Sequence, residues 1–178
     1  MDQTKKRILV MHGWNSNGTE YWFSDVKDYF EPKGFEVVIP ELPGNYFPDF
    51  NGWISAVTSF LPTIDDIIIG HSLGGATIMK YLEEAKCPVG HTILAATPMD
   101  SMGFNQIDNF FETGFDFATI KKNAGKINLI YEEDDPIVPL EHGKTLAHKL
   151  GAPIEIIPGG LHLYKLDMRL LEKMINEK

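Results

Sequence analysis

Apolar positions along the chain keep two rhythms. Short continuous runs, rich in Ile and Val, fall at 7–11, 35–39, 66–69, 92–95, 126–131 and 153–157. Runs of that length without polar interruption predict parallel strands covered on both faces. Between them apolar residues recur at helical spacing. Trp22, Val26, Tyr29 and Phe30 make one stripe, Phe50, Trp53, Val57 and Phe60 a second, and Leu163, Leu166, Leu170 and Met174 a third. A further helix is expected from Leu140 to Leu150, started by Pro139 and stopped by Gly151. Strands alternating with helices predict an α/β fold: a three-layer sandwich of about six parallel strands with helices on both faces and right-handed crossovers.

Two stretches break this rhythm. Residues 40–52 hold three prolines together with Tyr46, Phe47 and Phe50. Residues 98–119 carry five of the eleven phenylalanines, four acids and no Lys or Arg. A connection that long suggests a short lid-like segment.

With 178 residues and 43% hydrophobic positions, the chain suits one domain, 1–178, with a sizeable core. Sixteen basic against 25 acidic residues give a net charge of −9. That field disfavours nucleic acid and anionic membranes, since the densest basic clusters, Lys5-Lys6-Arg7 and Lys121-Lys122, merely flank apolar strands. Cys87 is the single cysteine, which excludes an internal disulfide. No apolar run approaches the roughly 18–20 residues of a membrane helix. The four apolar residues after Arg7 are too few for a signal peptide, so a cytoplasmic location is expected.

The most specific chemistry is in Gly70-His71-Ser72-Leu73-Gly74-Gly75, set between an Ile-rich strand and a helix-forming run from Ala76. This is the G-x-S-x-G pattern of a nucleophile elbow, whose glycines let a strand and helix close around a strained serine. His12-Gly13-Trp14 follows the first strand, where such a fold supplies half of an oxyanion hole. The implied donors are the backbone amides of Trp14 and Leu73. In chain order an acid and a histidine should follow the serine. Asp135 is the chosen acid, at the end of the fifth strand and before Pro136, with Asp134 as its rival. The other acids of the run Glu132-Glu133-Asp134-Asp135 are expected to be solvated. His162, in the loop after the last strand, is the chosen base; His71 lies inside the elbow, His91 opens a strand, and His142 and His148 sit in or beside a helix.

These motifs resemble the α/β-hydrolases, and more narrowly the small serine hydrolases related to retinoblastoma-binding protein 9. The resemblance spans nearly the whole chain and includes His12-Gly13-Trp14, the Pro-rich stretch ending in Pro48 and Trp53, the elbow, the Phe115-to-Ile120 approach to the fifth strand, Asp134 to Pro139, and His162. It implies a minimal hydrolase core with a triad of Ser72, Asp135 and His162. One departure stands out: Leu161 occupies the place where the family has glycine before the histidine, and Gly159-Gly160 comes one residue earlier.

The expected activity is a serine hydrolase, most simply a carboxylesterase acting on small uncharged or hydrophobic acyl esters through an acyl-enzyme. No metal or organic cofactor is implied, because no H-E-x-x-H, Walker or dinucleotide fingerprint is present. Trp14, Phe47, Phe110 and Phe111 are the expected substrate wall, although aromatics in these stretches suit core packing equally well. Amidase or peptidase activity would use the same machinery. The resemblance also permits a protein partner, with the core serving as an interaction module. A flavodoxin-like nucleotide binder shares the sheet but lacks a visible phosphate loop.

Overall fold

The computed structural model describes residues 6–177; Lys5 of the basic cluster lies outside them. Six strands form one parallel sheet: β1 (Arg7–Met11), β2 (Glu36–Val38), β3 (Ile67–His71), β4 (His91–Ala95), β5 (Lys126–Glu132) and β6 (Ile154–Ile157). Their spatial order is β2-β1-β3-β4-β5-β6. The chain thus steps outward from β1 to β2, returns past it to β3, and then fills the sheet in sequence. Ligand sites of such sheets open at the carboxyl ends of the strands, near this reversal.

Side-chain alternation explains the apolar runs in the inner strands. Leu9, Met11, Ile68, Leu94, Leu129 and Tyr131 enter one core layer. Ile8, Val10, Ile67, Ile69, Ile93 and Ile130 enter the other. The first layer is covered by α2 (Phe50–Phe60), α3 (Leu73–Glu84), α4 (Phe117–Asn123) and α5 (Leu140–Leu150). The second lies under α1 (Phe23–Phe30) and α6 (Met168–Asn176). Both faces of the inner strands are therefore dry, as the sequence pattern requires, whereas the edge strands β2 and β6 are partly exposed.

The C-terminal stripe departs from expectation. Leu163 and Leu166 are buried as predicted, but α6 starts only at Met168, capped by the Asp167 carboxylate on the Arg169 amide. A right-handed helix cannot run through His162 and Leu163, whose φ are 55° and 52°. These two leucines reach the core from a loop. The 98–119 segment is likewise not featureless: a 3-10 helix spans Asn105–Phe110, and α4 begins at Phe117. Among the described residues no helix is long and apolar enough to cross a membrane.

Candidate active site

Ser72 stands between β3 and α3 with φ 54° and ψ −124°. For a residue with a Cβ this conformation is strained, by roughly 1–3 kcal/mol, and persists only where the surroundings enforce it. Here they do. The Ser72 amide donates to the Ala95 carbonyl of β4 at 2.8 Å, which extends the sheet up to the turn. A Cβ on Gly70 would come within 2.5 Å of the Gly75 Cα, and one on Gly74 would collide with the Met11 carbonyl of β1. The glycines thus allow helix, sheet and turn to close on one point. Leu73 opens α3, where first-turn amides have no intrahelical acceptor and the helix dipole is positive.

His162 is brought to the same place from the loop after β6. Its Nδ1 lies 2.8 Å from Asp135 Oδ2. The other carboxylate oxygen, Oδ1, accepts the amides of Ile137 and Val138 at 2.8 and 2.9 Å. Burial pushes the Asp135 carboxyl up, but the His162 contact and those two amides outweigh it and hold it below the ordinary range. An ionised Asp135 fixes Nδ1–H as the donor and leaves Nε2 as the basic nitrogen. Asp134 is exposed, whereas Asp135 is buried, so the acid next to the imidazole is Asp135.

Two buried residues that the sequence reading did not assign also hold the histidine. His71 Nε2 is 2.9 Å from the His162 carbonyl oxygen. Burial, with the neighbouring His162, pushes the His71 imidazole down to about 3. It is therefore neutral, and Nε2–H donates to that carbonyl. Glu132 Oε2 accepts the amides of Leu161 and Leu163, at 2.8 and 3.0 Å. The expectation that Glu132 is solvated fails, because β5 runs on through it and turns its side chain inward. His12 is buried, its Nδ1 2.9 Å from the Gly13 carbonyl oxygen, and its ring packs edge-on to Trp53.

Ser72, Leu73, Trp14, His71 and His162 line one cleft of about 280 Å³. Its other walls are mainly aromatic and aliphatic, including Tyr46, Phe104, Met102 and Ile137, and no Lys, Arg, Asp or Glu lines it. Trp14 anchors one wall, with its ring against Tyr46 and Phe104 and its indole N–H donating to the Tyr46 carbonyl at 3.0 Å. The remaining aromatics singled out for this wall lie elsewhere. Phe110 is fully buried in the core between Phe50 and Trp53. Phe111 packs half-buried beside Phe115, away from the cleft. Phe47 is 70% exposed, and its neighbour Tyr46 takes the inward position. Cys87 is exposed beyond the far end of α3, the end opposite Ser72.

A family model described as Serine hydrolase matches residues 8–166. Among curated proteins, the putative hydrolase YdeN of Bacillus subtilis is 26% identical over 162 residues, which are 88% of this chain and 85% of that protein. The serine hydrolase RBBP9 of Rattus norvegicus is 25% identical over 155 residues, 85% of this chain and 82% of its own length. The crystal structure of the ydeN gene product from B. subtilis superposes with a TM-score of 0.90 at 23% identity, covering 97% of this chain and all of that one.

Proposed function

The chain belongs to the serine hydrolase family, and from that premise we propose that it is a carboxylesterase-type enzyme that cleaves small, uncharged or hydrophobic acyl esters. Ser72 is the nucleophile, His162 the general base and Asp135 the orienting acid. One observation carries the reading. A serine in a strained strand-to-helix turn and a histidine whose Nδ1 is held 2.8 Å from a buried aspartate line the same cleft.

In the first half-reaction His162 Nε2 takes the Ser72 hydroxyl proton as Oγ attacks the ester carbonyl. The carbonyl oxygen becomes an oxyanion, held by the amides of Leu73 and Trp14. One such donor contributes about 2.7–4 kcal/mol in related chemistry. Collapse of the intermediate expels the alcohol, which receives the proton from His162. Water then attacks the acyl-enzyme by the same steps and releases the acid. The cleft supports this substrate class, since its 280 Å³ is small for a ligand site and no Lys, Arg, Asp or Glu lines it to meet a charged acyl group.

The test is a panel of p-nitrophenyl esters of increasing chain length beside aminoacyl-amide substrates, together with fluorophosphonate labelling. Short to medium esters should turn over, and Ser72→Ala should lose about 10⁶-fold in kcat and all labelling. A folded wild type that neither labels nor hydrolyses esters defeats the proposal. Faster turnover of the amides would make the enzyme an amidase instead.

A further inference from the structure

The departure before His162 and the buried acid at the end of β5 have a common explanation. Glu132 is buried, so its carboxylate has to find donors within the protein. The two it accepts are the main-chain amides immediately before and after His162, both on one oxygen, Oε2. Charge-assisted bonds of this kind are the stronger class of hydrogen bond. They act on backbone that needs holding: His162 and Leu163 are both in the left-handed region, which L-residues avoid.

The glycine pair fits the same arrangement. Gly159 has φ 146°, and a Cβ there would sit 2.5 Å from Glu132 Oε1. Glycine stands at 159 because the carboxylate fills the space a side chain would need. Leu161 is free to replace glycine next to the histidine because it contributes an amide while its side chain faces solvent, 61% exposed. The acid loop is joined to the histidine loop by two more bonds, Glu133 N to the Ile157 carbonyl at 3.0 Å and Asp134 N to the Gly159 carbonyl at 2.9 Å. Glu132 and Asp135 therefore leave the same strand end and grip the same residue, one by its flanking backbone and the other by its ring.

We propose that Glu132 is a positioning residue of the hydrolytic site, whose buried carboxylate clamps the amides flanking His162 and thereby sets the imidazole against Asp135. This rests on the assignment of Ser72, His162 and Asp135 as the reacting groups. It predicts that loss of the carboxylate harms the chemical step more than substrate binding.

The experiment compares Glu132→Ala, Glu132→Gln and Gly159→Ala with wild type. Each is first shown folded by circular dichroism at the assay temperature. Esterase kcat and KM are then measured, with the downfield proton NMR signal of the His162–Asp135 hydrogen bond. Glu132→Ala should lose about 100-fold in kcat, the scale of a misplacement of about 1 Å, with KM changed by no more than about twofold. Its downfield signal should be lost or broadened. Glu132→Gln keeps a carbonyl oxygen that can accept both amides, and should restore the signal and all but about fivefold of kcat. Gly159→Ala retains Glu132 but displaces its carboxylate, and should resemble Glu132→Ala; it decides the matter if Glu132→Ala does not fold. A folded Glu132→Ala with wild-type kcat and an unchanged signal overturns the proposal, as does Glu132→Gln falling as far as Glu132→Ala. If wild type has no esterase activity, the esterase assignment fails, while the NMR comparison still reads the position of the imidazole.

Discussion

Asp134 and Asp135 are adjacent and chemically identical, yet one is exposed and the other is buried against His162. Asp135→Asn should lower kcat by about 10⁴-fold, because the amide stabilises the wrong imidazole tautomer, while Asp134→Asn should leave kcat within about twofold. Steady-state kinetics on one ester distinguishes them, and equal losses would show that the acid has been misassigned. Asp135 also carries a sign for stability. Its carboxyl is held below the ordinary value of 3.8, so its contribution is present above that pH and lost as the pH falls through the lower, folded value. That Ser72, Asp135 and His162 belong to one place is legible in the sequence, because the turn glycines and the chain order are themselves consequences of the fold. The residues that hold His162 from behind are not. His71 is masked by being part of the elbow pattern, and Glu132 by sitting in an acidic run that reads as solvated. Only a strand that continues through Glu132 reveals that its side chain turns inward.

Whole elements were legible where burial alone decides them. The six apolar runs became the six strands, with ends moved by one or two residues; the inner strands are covered on both faces, which leaves little polar alternative, while the edge strands β2 and β6 stay partly exposed. Where burial and conformation part company the pattern misleads. Leu163 is buried at helical spacing from Leu166 but lies in left-handed backbone, and Phe110 is as apolar as a cleft residue while belonging to the core. The 98–119 segment shows what apolar counting misses, since a cation secures it. Lys80 of α3 is 7% exposed, and its ammonium bonds Thr113 Oγ1 at 2.8 Å, the Gly114 carbonyl and Glu83 at 3.1 Å, over the ring of Phe115. Glu83 in turn accepts the Asp116 amide at 2.7 Å. The end of the segment is thus fixed to α3, while Met102, Phe104 and Ile107 upstream line the cleft. Lys80→Met should leave these acceptors unpaired and lower stability by roughly 1–3 kcal/mol. Amide exchange should rise across 107–116, and KM should increase with kcat largely kept. Unchanged exchange there would remove Lys80 as the anchor.

At the scale of the whole molecule, the net charge of −9 says little about how acid unfolds the protein; the buried histidines say more. Burial pushes His71 down to about 3 and His91 down to about 4, and it lowers His12 as well. Each is neutral in the folded state over a range in which the unfolded chain, with an ordinary value of 6.5, binds a proton. The unfolded state therefore gains protons first, and stability falls as the pH drops below about 6.5. The slope approaches about 1.4 kcal/mol per pH unit for each histidine while its folded form stays neutral. Below the ordinary carboxylate value of 3.8 the lowered Asp135 and Asp66 add a loss of the same sign. No carboxylate contribution with a raised folded value is available among these groups to oppose it. A domain of ordinary stability, about 5–15 kcal/mol, should therefore be much weakened by pH 4 to 5. Urea melts at pH 7, 6, 5 and 4.5 measure the slope directly. His91 is the cleanest place to dissect it, since its Nε2 lies 2.7 Å from Asn128 Oδ1, outside the cleft that Ser72 lines. His91→Gln keeps an amide donor for that oxygen but cannot titrate. Between pH 6 and 4.5 its slope should be smaller than wild type by about one histidine's share, with ester hydrolysis at pH 7 unchanged. An identical slope in the variant would show that His91 is not among the groups through which acid unfolds the protein.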